Sequence, residues 1–355
     1  MILNKKNLLK FKFSIQFLFE LIIYFPFLII FLFKKKVINN FTLFLLFKYR
    51  MYKNDPNNLV NYDDVNLVKN FSEKTNSAYN IFYIDTQNKF LNFFMNLKVL
   101  IEIFKQNPKY MVCYIDYAVN RFNLSVSLLY LINKFRLTKM MLISPDSVWK
   151  INIYRARIFE KNQIVYYGDR NLLINKHSKK RMCPVNFTSD FFRYSKNDIV
   201  NKKIDVLYIG RIQNIEDRTK GLAKLRELIN IKIIDTDQTH LPINEYIKMI
   251  SSSKIVINFN TSKNKKIHFK GKSLEIIACG SLLFEPKNSY LNKNFLTSGK
   301  HYVEFKDIED LINKINYYNN NLDQLKKISG DGNNALLKLF EKRCIWKYLL
   351  DETKY

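Results

Sequence analysis

Short apolar runs of strand length alternate with segments of helical period along most of this chain, and the alternation stops once and then restarts. Runs at 79–85, 110–116, 139–143 and 163–167 read as buried strands, with helical spacing at 91–104, 124–135 and, more weakly, 151–160. Buried strands joined through helices imply a parallel sheet, because parallel neighbours need a long crossover and not a tight turn. Residues 186–203 are polar and aperiodic. Beyond them, strands at 204–210, 231–234, 254–259 and 281–284 alternate with helices at 222–229, 243–251, 273–278, 308–318 and 335–350. The expected fold is therefore α/β, with two Rossmann-like domains built on parallel sheets, one over 79–190 and one over 204–355. With 355 residues, each domain has enough chain for its own core.

The N-terminus does not follow this pattern. Residues 13–33, FSIQFLFELIIYFPFLIIFLF, are almost continuously apolar. As a helix they would measure roughly 31 Å, about the hydrocarbon thickness of a bilayer. A second apolar run follows at 41–47. Lys5, Lys6, Lys10 and Lys12 precede the first run, and Lys34, Lys35 and Lys36 follow it. No small-residue cleavage site follows, which argues against a signal peptide. A single spanning helix fits the length, but Glu20 and Pro26 interrupt it and the lysines flank both ends. A membrane-embedded hairpin or an interfacial helix lets all the lysines face one anionic leaflet. A buried core helix is the remaining alternative. The reading taken is a membrane-associated apolar helical segment at 1–50 and a connecting segment at 51–78. The expected location is the cytoplasmic face of a membrane, peripheral or anchored through 13–47.

The formal charge is +27, from 58 Lys and Arg against 31 Asp and Glu. That field favours anionic partners such as lipid headgroups or phosphorylated substrates. No helix-turn-helix, zinc-finger or RNP pattern accompanies it, so nucleic acid is not an expected partner. Cys113, Cys183, Cys279 and Cys344 are scattered, as are the four histidines, and none has metal-ligand spacing. No metal site is expected. Asp235-Thr236-Asp237 has the acid-x-acid form that can hold a metal-bound nucleotide, but its place in the second βα unit of the domain reads as a helix-entry loop.

Open parallel sheets bind ligands at the carboxyl ends of their strands. Three features of the second domain should meet there. Gly210-Arg211 directly follows its first strand: Gly lets a ligand approach the backbone, and Arg is a forked phosphate donor. Lys220-Gly221 stands at the start of the next helix, where free N–H groups and a cation suit a pyrophosphate. Lys270, Gly271 and Lys272 precede a helix carrying Glu275, whose carboxylate can accept hydrogen bonds from ribose hydroxyls. Alternatively, Glu275 caps or salt-bridges its own helix, and Cys279-Gly280 is a tight helix-to-strand turn.

Gly-Arg, then Lys-Gly, then Glu275-Ile276-Ile277-Ala278-Cys279-Gly280 resembles the group 1, family 4-like glycosyltransferases of the GT-B fold. The closer resemblance is to the glycosyltransferase-like domain of spore maturation proteins, whose later motif is similar to Phe295 through Phe305 followed by Asp307-Ile308-Glu309-Asp310-Leu311. The resemblance covers about residues 204–350. It implies that Glu275 binds the donor ribose, that Arg211 and Lys220 neutralise the diphosphate leaving group, and that neither metal nor cofactor is needed. Two positions depart from the family. Its earlier acid falls at Ile267, and its expected Arg is Lys272, which keeps the charge but loses the fork. The first domain would bind the acceptor, with Asp146 as general base or acceptor contact, or else as a helix cap. The implied function is transfer of a sugar from a nucleotide-diphosphate donor to a lipid-linked or polysaccharide acceptor of the cell envelope. The alternative is a catalytically degenerate scaffold of the same fold that binds glycan or nucleotide at the membrane.

Overall fold

The computed structural model describes residues 22–26, 29, 38–48, 62–85, 91–114, 128, 131–132, 135, 137–144, 163–166, 187–195, 199–212, 216–236, 238–239, 241–260, 271–287, 295–342, 346 and 350. The chain divides into two compact units. The first comprises residues 1–65, 76–166 and 173–177, and the second comprises 66–75, 167–172 and 178–355.

The first unit is built on five parallel strands: β1 (Asn39–Lys48), β2 (Ala78–Asp85), β3 (Pro108–Tyr114), β4 (Lys139–Ser144) and β5 (Gln163–Tyr166). Their order is β2-β1-β3-β4-β5. Helix α2 (Leu91–Gln106) connects β2 to β3 and buries Val99, Leu100 and Ile103. Gln106 ties the end of this helix to the sheet, its carbonyl accepting from Asn39 Nδ2 (2.5 Å) and its Oε1 from Asn80 Nδ2 (2.9 Å).

The N-terminal apolar region requires a correction. Residues 41–47 are not part of a helical segment: they form the core of β1, which pairs with both β2 and β3. Leu43, Phe44, Leu45 and Leu46 are almost fully buried on both faces of the sheet, as expected for an inner parallel strand. Residues 22–26 and 29 are helical, with Tyr24 buried and Ile22, Phe25 and Ile29 exposed. Among the described residues, no helix is long and apolar enough to cross a membrane. The rest of the 13–33 run lies outside the described residues.

The stretch 51–78, expected as a connection with at most a short helix, contains the 13-residue helix α1 (Tyr62–Lys74). Its residues from Asn66 onward belong to the second unit. Asn70 accepts from the Trp346 indole N–H (2.7 Å) and donates to the Phe187 carbonyl, and Phe71 meets the Trp346 ring edge-on at 5.1 Å. Phe187 in turn stacks on Phe191 and meets Phe340 edge-on. The described residues of the polar stretch at 186–203, where the alternation breaks, belong to the second unit.

The second unit repeats the first unit's strand order. Strands β6 (Ile204–Gly210), β7 (Ile231–Asp235), β8 (Ser253–Ile257), β9 (Leu282–Pro286) and β10 (Val303–Phe305) are all parallel, in the order β10-β9-β8-β6-β7. Helices α3 (Glu216–Leu228), α4 (Ile243–Ser251), α5 (Gly271–Ala278), α6 (Ile308–Asn320) and α7 (Leu322–Lys342) connect and flank them. Val206, Ile255, Ile257, Leu282 and Phe284 form the sheet's buried centre, with Leu225, Leu311 and Leu325 packed on it from three helices. Asp307 caps α6 by accepting from the Asp310 N–H (2.9 Å), so the acidic start of that helix serves its own N-terminus.

Two glycines of α7 make a matched pair. A Cβ on Gly332 would lie 2.3 Å from the His301 carbonyl oxygen, whereas one on Gly330 would meet nothing within 4 Å. Gly332→Ala should therefore destabilise the protein by about 1–3 kcal/mol. Gly330→Ala should stabilise it by about 0.5–1 kcal/mol, because alanine restricts the unfolded chain more than glycine does. Urea unfolding of the two variants checks both signs.

Candidate functional site

In the second unit, β6 and β8 are neighbours, and β7 lies on one side of them while β9 and β10 lie on the other. The strand order reverses between β6 and β8, so the connections leaving these two strands diverge. In open parallel sheets the carboxyl ends of such a diverging pair are where ligands are held. The residues leaving β6 are Arg211 and Ile212, and those leaving β8 are Asn258, Phe259 and Asn260.

Arg218 on α3 holds these two connections together. Its guanidinium is buried and donates to the Arg211 carbonyl at 2.6 Å and to the Phe259 carbonyl at 2.9 Å. The Tyr208 hydroxyl donates to the same Arg211 carbonyl at 2.8 Å. On the other flank, Asp235 at the end of β7 accepts from the Ile212 N–H, and the Thr236 N–H donates to the Gly210 carbonyl, each at 3.3 Å. The Gly210–Ile212 backbone is thus held from three directions.

Helix α5 is anchored at both ends. At its start, Asn258 Nδ2 donates to Ser273 Oγ at 3.0 Å, with both side chains buried. At its end, Gly280 takes φ +71°, and the N–H groups of Gly280 and Ser281 return to the carbonyls of Ile277 and Ile276. This is the tight turn expected at Cys279-Gly280. The buried Lys202 ammonium donates to the Gly280 carbonyl (2.7 Å) and to Ser281 Oγ (3.1 Å), placing a cation at the helix C-terminus. Burial pushes Lys202 down to about 8. Burial also pushes the Cys279 thiol well up, with the Glu275 carboxylate adding to the effect, so this cysteine is not a nucleophile.

The expected site residues divide into groups. Gly210 and Lys272 come together: a Cβ on Gly210, which has φ +156°, would lie 2.9 Å from Lys272 Nζ. Gly210 therefore makes room for the lysine, whose Nζ also lies 5.5 Å from the centre of the Tyr208 ring. Lys272 is half-buried on the first turn of α5, beside Gly271. Arg211 is exposed immediately beyond β6. Lys220 is exposed too, but it sits one turn into α3, not at its start, which is Glu216. Its neighbour Gly221 serves helix packing: a Cβ there would lie 2.7 Å from Ile308 Cδ1 of α6. Glu275 lies in the middle of α5, is only 6% exposed, and accepts from the Tyr246 hydroxyl of α4 at 2.8 Å. Asp146, Ile267 and Lys270 lie outside the described residues, as does Asp237 of the acid-x-acid sequence.

Sequence reasoning missed Arg218, Asn258 and the buried pair Asn260 and Glu285, in which the amide donates to the carboxylate at the end of β9. One signal for the asparagines was available: Asn258 and Asn260 extend an apolar strand run, where a buried amide needs a partner. Among the described residues, no group of three acidic, His or Cys side chains is arranged to hold a metal ion.

Residues 221–351 match the family model described as glycosyl transferase-like. No curated protein matches the chain. Among solved structures, the chain is similar to sucrose-phosphate synthase from Thermosynechococcus elongatus, with TM-score 0.55, 9% identity, and coverage of 84% of this chain and 95% of that one. It is also similar to HepE from Anabaena, solved in complex with UDP and glucose, with TM-score 0.53, 10% identity, and coverage of 89% and 98%. At these identities the likeness establishes the fold: two parallel-sheet units of the GT-B type.

Two side chains give stability predictions. Between pH 8 and the ordinary lysine value of 10.5, the unfolded chain keeps a proton that folded Lys202 has released. Stability should therefore rise across that window by up to about 3 kcal/mol, and Lys202→Met should flatten the rise; denaturant midpoints against pH measure both. Arg218→Lys keeps the charge but loses the fork that spans two carbonyls. It should destabilise the second unit by about 1–3 kcal/mol in urea unfolding.

Proposed function

Taking a glycosyl transferase-like second unit in a GT-B fold as the premise, we propose that this chain transfers a sugar from a nucleotide-diphosphate donor to a lipid-linked or polysaccharide acceptor. The observation that carries the proposal is the seat of Lys272. Its ammonium rests against Gly210 at the carboxyl end of β6, where the backbone is held fixed. Breaking the bond between the sugar and the nucleotide leaves a diphosphate whose negative charge grows in the transition state. A cation fixed in place before the reaction stabilises that charge without reorganising. Lys272 is assigned to this charge, with Lys270 two positions earlier in the sequence, Arg211 directly after β6 and Lys220 one turn into α3 assisting. Glu275 is assigned to the ribose, with the Tyr246 hydroxyl orienting its carboxylate. HepE, the Anabaena neighbour, was solved with UDP and glucose, so a uridine donor is the first to try.

On the acceptor side, Asp146 follows β4 by two residues and is assigned as the base that takes the acceptor hydroxyl's proton. No metal and no cofactor beyond the donor itself enters this scheme. The lysine-flanked apolar segment at 13–33 and the net charge of +27 support an acceptor carried on lipid and a reaction assigned to the cytoplasmic face of a membrane.

Purified protein should hydrolyse or transfer from a nucleotide-diphosphate sugar. Lys272→Ala should lower kcat by about a hundredfold to a thousandfold, as loss of a transition-state contact does. Glu275→Ala should act mainly through KM. Turnover unchanged in both variants contradicts the site assignment. Ile267, at the family's usual acidic position, favours the second reading, a scaffold that binds nucleotide or glycan without turnover. Calorimetry showing nucleotide-diphosphate binding, with no turnover across a broad donor and acceptor panel, would decide for it.

A further inference from the structure

Exposed apolar side chains are distributed unevenly along the chain. Nine of the eleven large hydrophobic residues exposed among those described fall in the first unit, although the second unit has more described residues. Ile22, Phe25 and Ile29 lie on the N-terminal helical residues at spacings of three and four. Tyr79 and Tyr83 lie on β2, an edge strand. Phe94 (49% exposed) and Ile101 (43% exposed) lie on α2.

Helix α2 gives the clearest pattern. Among its residues 94–106, the exposed positions are Phe94, Lys98, Ile101 and Lys105, alternately apolar and basic. Spacings of four, three and four put them on one line down the helix, about 16 Å long at 1.5 Å per residue. Val99, Leu100, Ile103 and Phe104 on the opposite side are buried in the first unit. Glu102 is the one acidic residue of the helix; it is partly buried and accepts from Gln106. The outward line therefore carries positive charge and apolar surface with no acid among them. A solvated helix face would show mixed charges, and a protein–protein core would exclude the lysines. Apolar anchors between lysines fit the boundary of a bilayer, where rings and branched chains enter the acyl region and ammonium groups meet lipid phosphates. The net charge of +27 supplies long-range attraction to such a surface.

We propose that the Phe94, Lys98, Ile101 and Lys105 face of α2 docks the first unit on an anionic lipid bilayer. This deepens the reading of a membrane-borne acceptor. It adds a docking face within a folded helix, separate from the N-terminal apolar run.

The test uses the full chain and sedimentation with vesicles of phosphatidylcholine, with and without phosphatidylglycerol. Lys98→Gln with Lys105→Gln should lower partitioning onto the phosphatidylglycerol vesicles by about thirtyfold, from about fivefold per lysine. That difference should vanish on the neutral vesicles. Phe94→Gln with Ile101→Gln should lower partitioning on both. All four side chains are exposed, so thermal unfolding should match the wild type and confirm that the variants fold. Wild-type partitioning by all variants overturns the proposal, as does failure of the wild type to bind phosphatidylglycerol vesicles. A concentration-dependent dimer that Phe94→Gln with Ile101→Gln abolishes, with vesicle binding unchanged, assigns the face to a second copy and also overturns it. Hydrolysis of a soluble donor without vesicles should be the same in wild type and variants. Sugar transfer and lipid docking can thus fail independently.

Discussion

The second unit depends on how a diverging pair of connections is kept in place. A parallel sheet whose order reverses between β6 and β8 sends the chain away in opposite directions at that point. The Arg218 guanidinium spans the gap, taking the Arg211 carbonyl on one side and the Phe259 carbonyl on the other. A planar fork with donors at fixed angles suits this task, and a single ammonium does not. With the Gly210–Ile212 backbone fixed, the space left by Gly210 admits the Lys272 ammonium, and the Tyr208 hydroxyl closes onto the same carbonyl that Arg218 uses. Helix α5, which carries both Lys272 and Glu275, is anchored through Ser273 at one end and by Lys202 at the other. The geometry of the site therefore rests on buried polar contacts that need not touch a ligand.

How much of this was legible depended on the kind of signal. In the second unit, β6 falls on residues 204–210 and α4 on 243–251 as read, because a strongly apolar strand and a clear helical period leave little choice. The run at 41–47 was misread because a continuous apolar stretch has neither period, and its position after a longer apolar run with lysines drew it into a membrane reading. Its seven residues are strand length and too short for a span, and burial on both faces explains why no polar alternation shows. Helix α1 was missed because its buried stripe mixes asparagines with Leu67 and Phe71. Asn70 gains its partners only from residues far along the chain, Phe187 and Trp346.

The site shows the same division. Gly210 and Lys272 were legible as a pair because both belong to strand-end and helix-start positions that an open sheet brings together. The reason for the glycine was not legible: the group that occupies the space is the protein's own lysine. Arg218 was hidden because one Arg in the polar sequence Glu216-Asp217-Arg218-Thr219-Lys220 looks like a solvated face. Lys220 and Gly221 were read as one motif, whereas the helix separates them. The lysine is exposed, and the glycine allows Ile308 to approach.

The two units share a strand order but differ in surface. The second seats the Lys272 ammonium against Gly210 at the end of β6, while the first carries nine of the eleven large hydrophobic residues exposed among those described. That division accords with a donor site on the one and a lipid-facing role on the other. A crystal of the protein soaked with UDP shows whether the carboxyl ends of β6 and β8 receive a nucleotide diphosphate. The diphosphate should lie within hydrogen-bond distance of Lys272 Nζ and next to the Gly210–Arg211 backbone, with the ribose against Glu275. A diphosphate bound elsewhere, with Lys272 untouched, would contradict it.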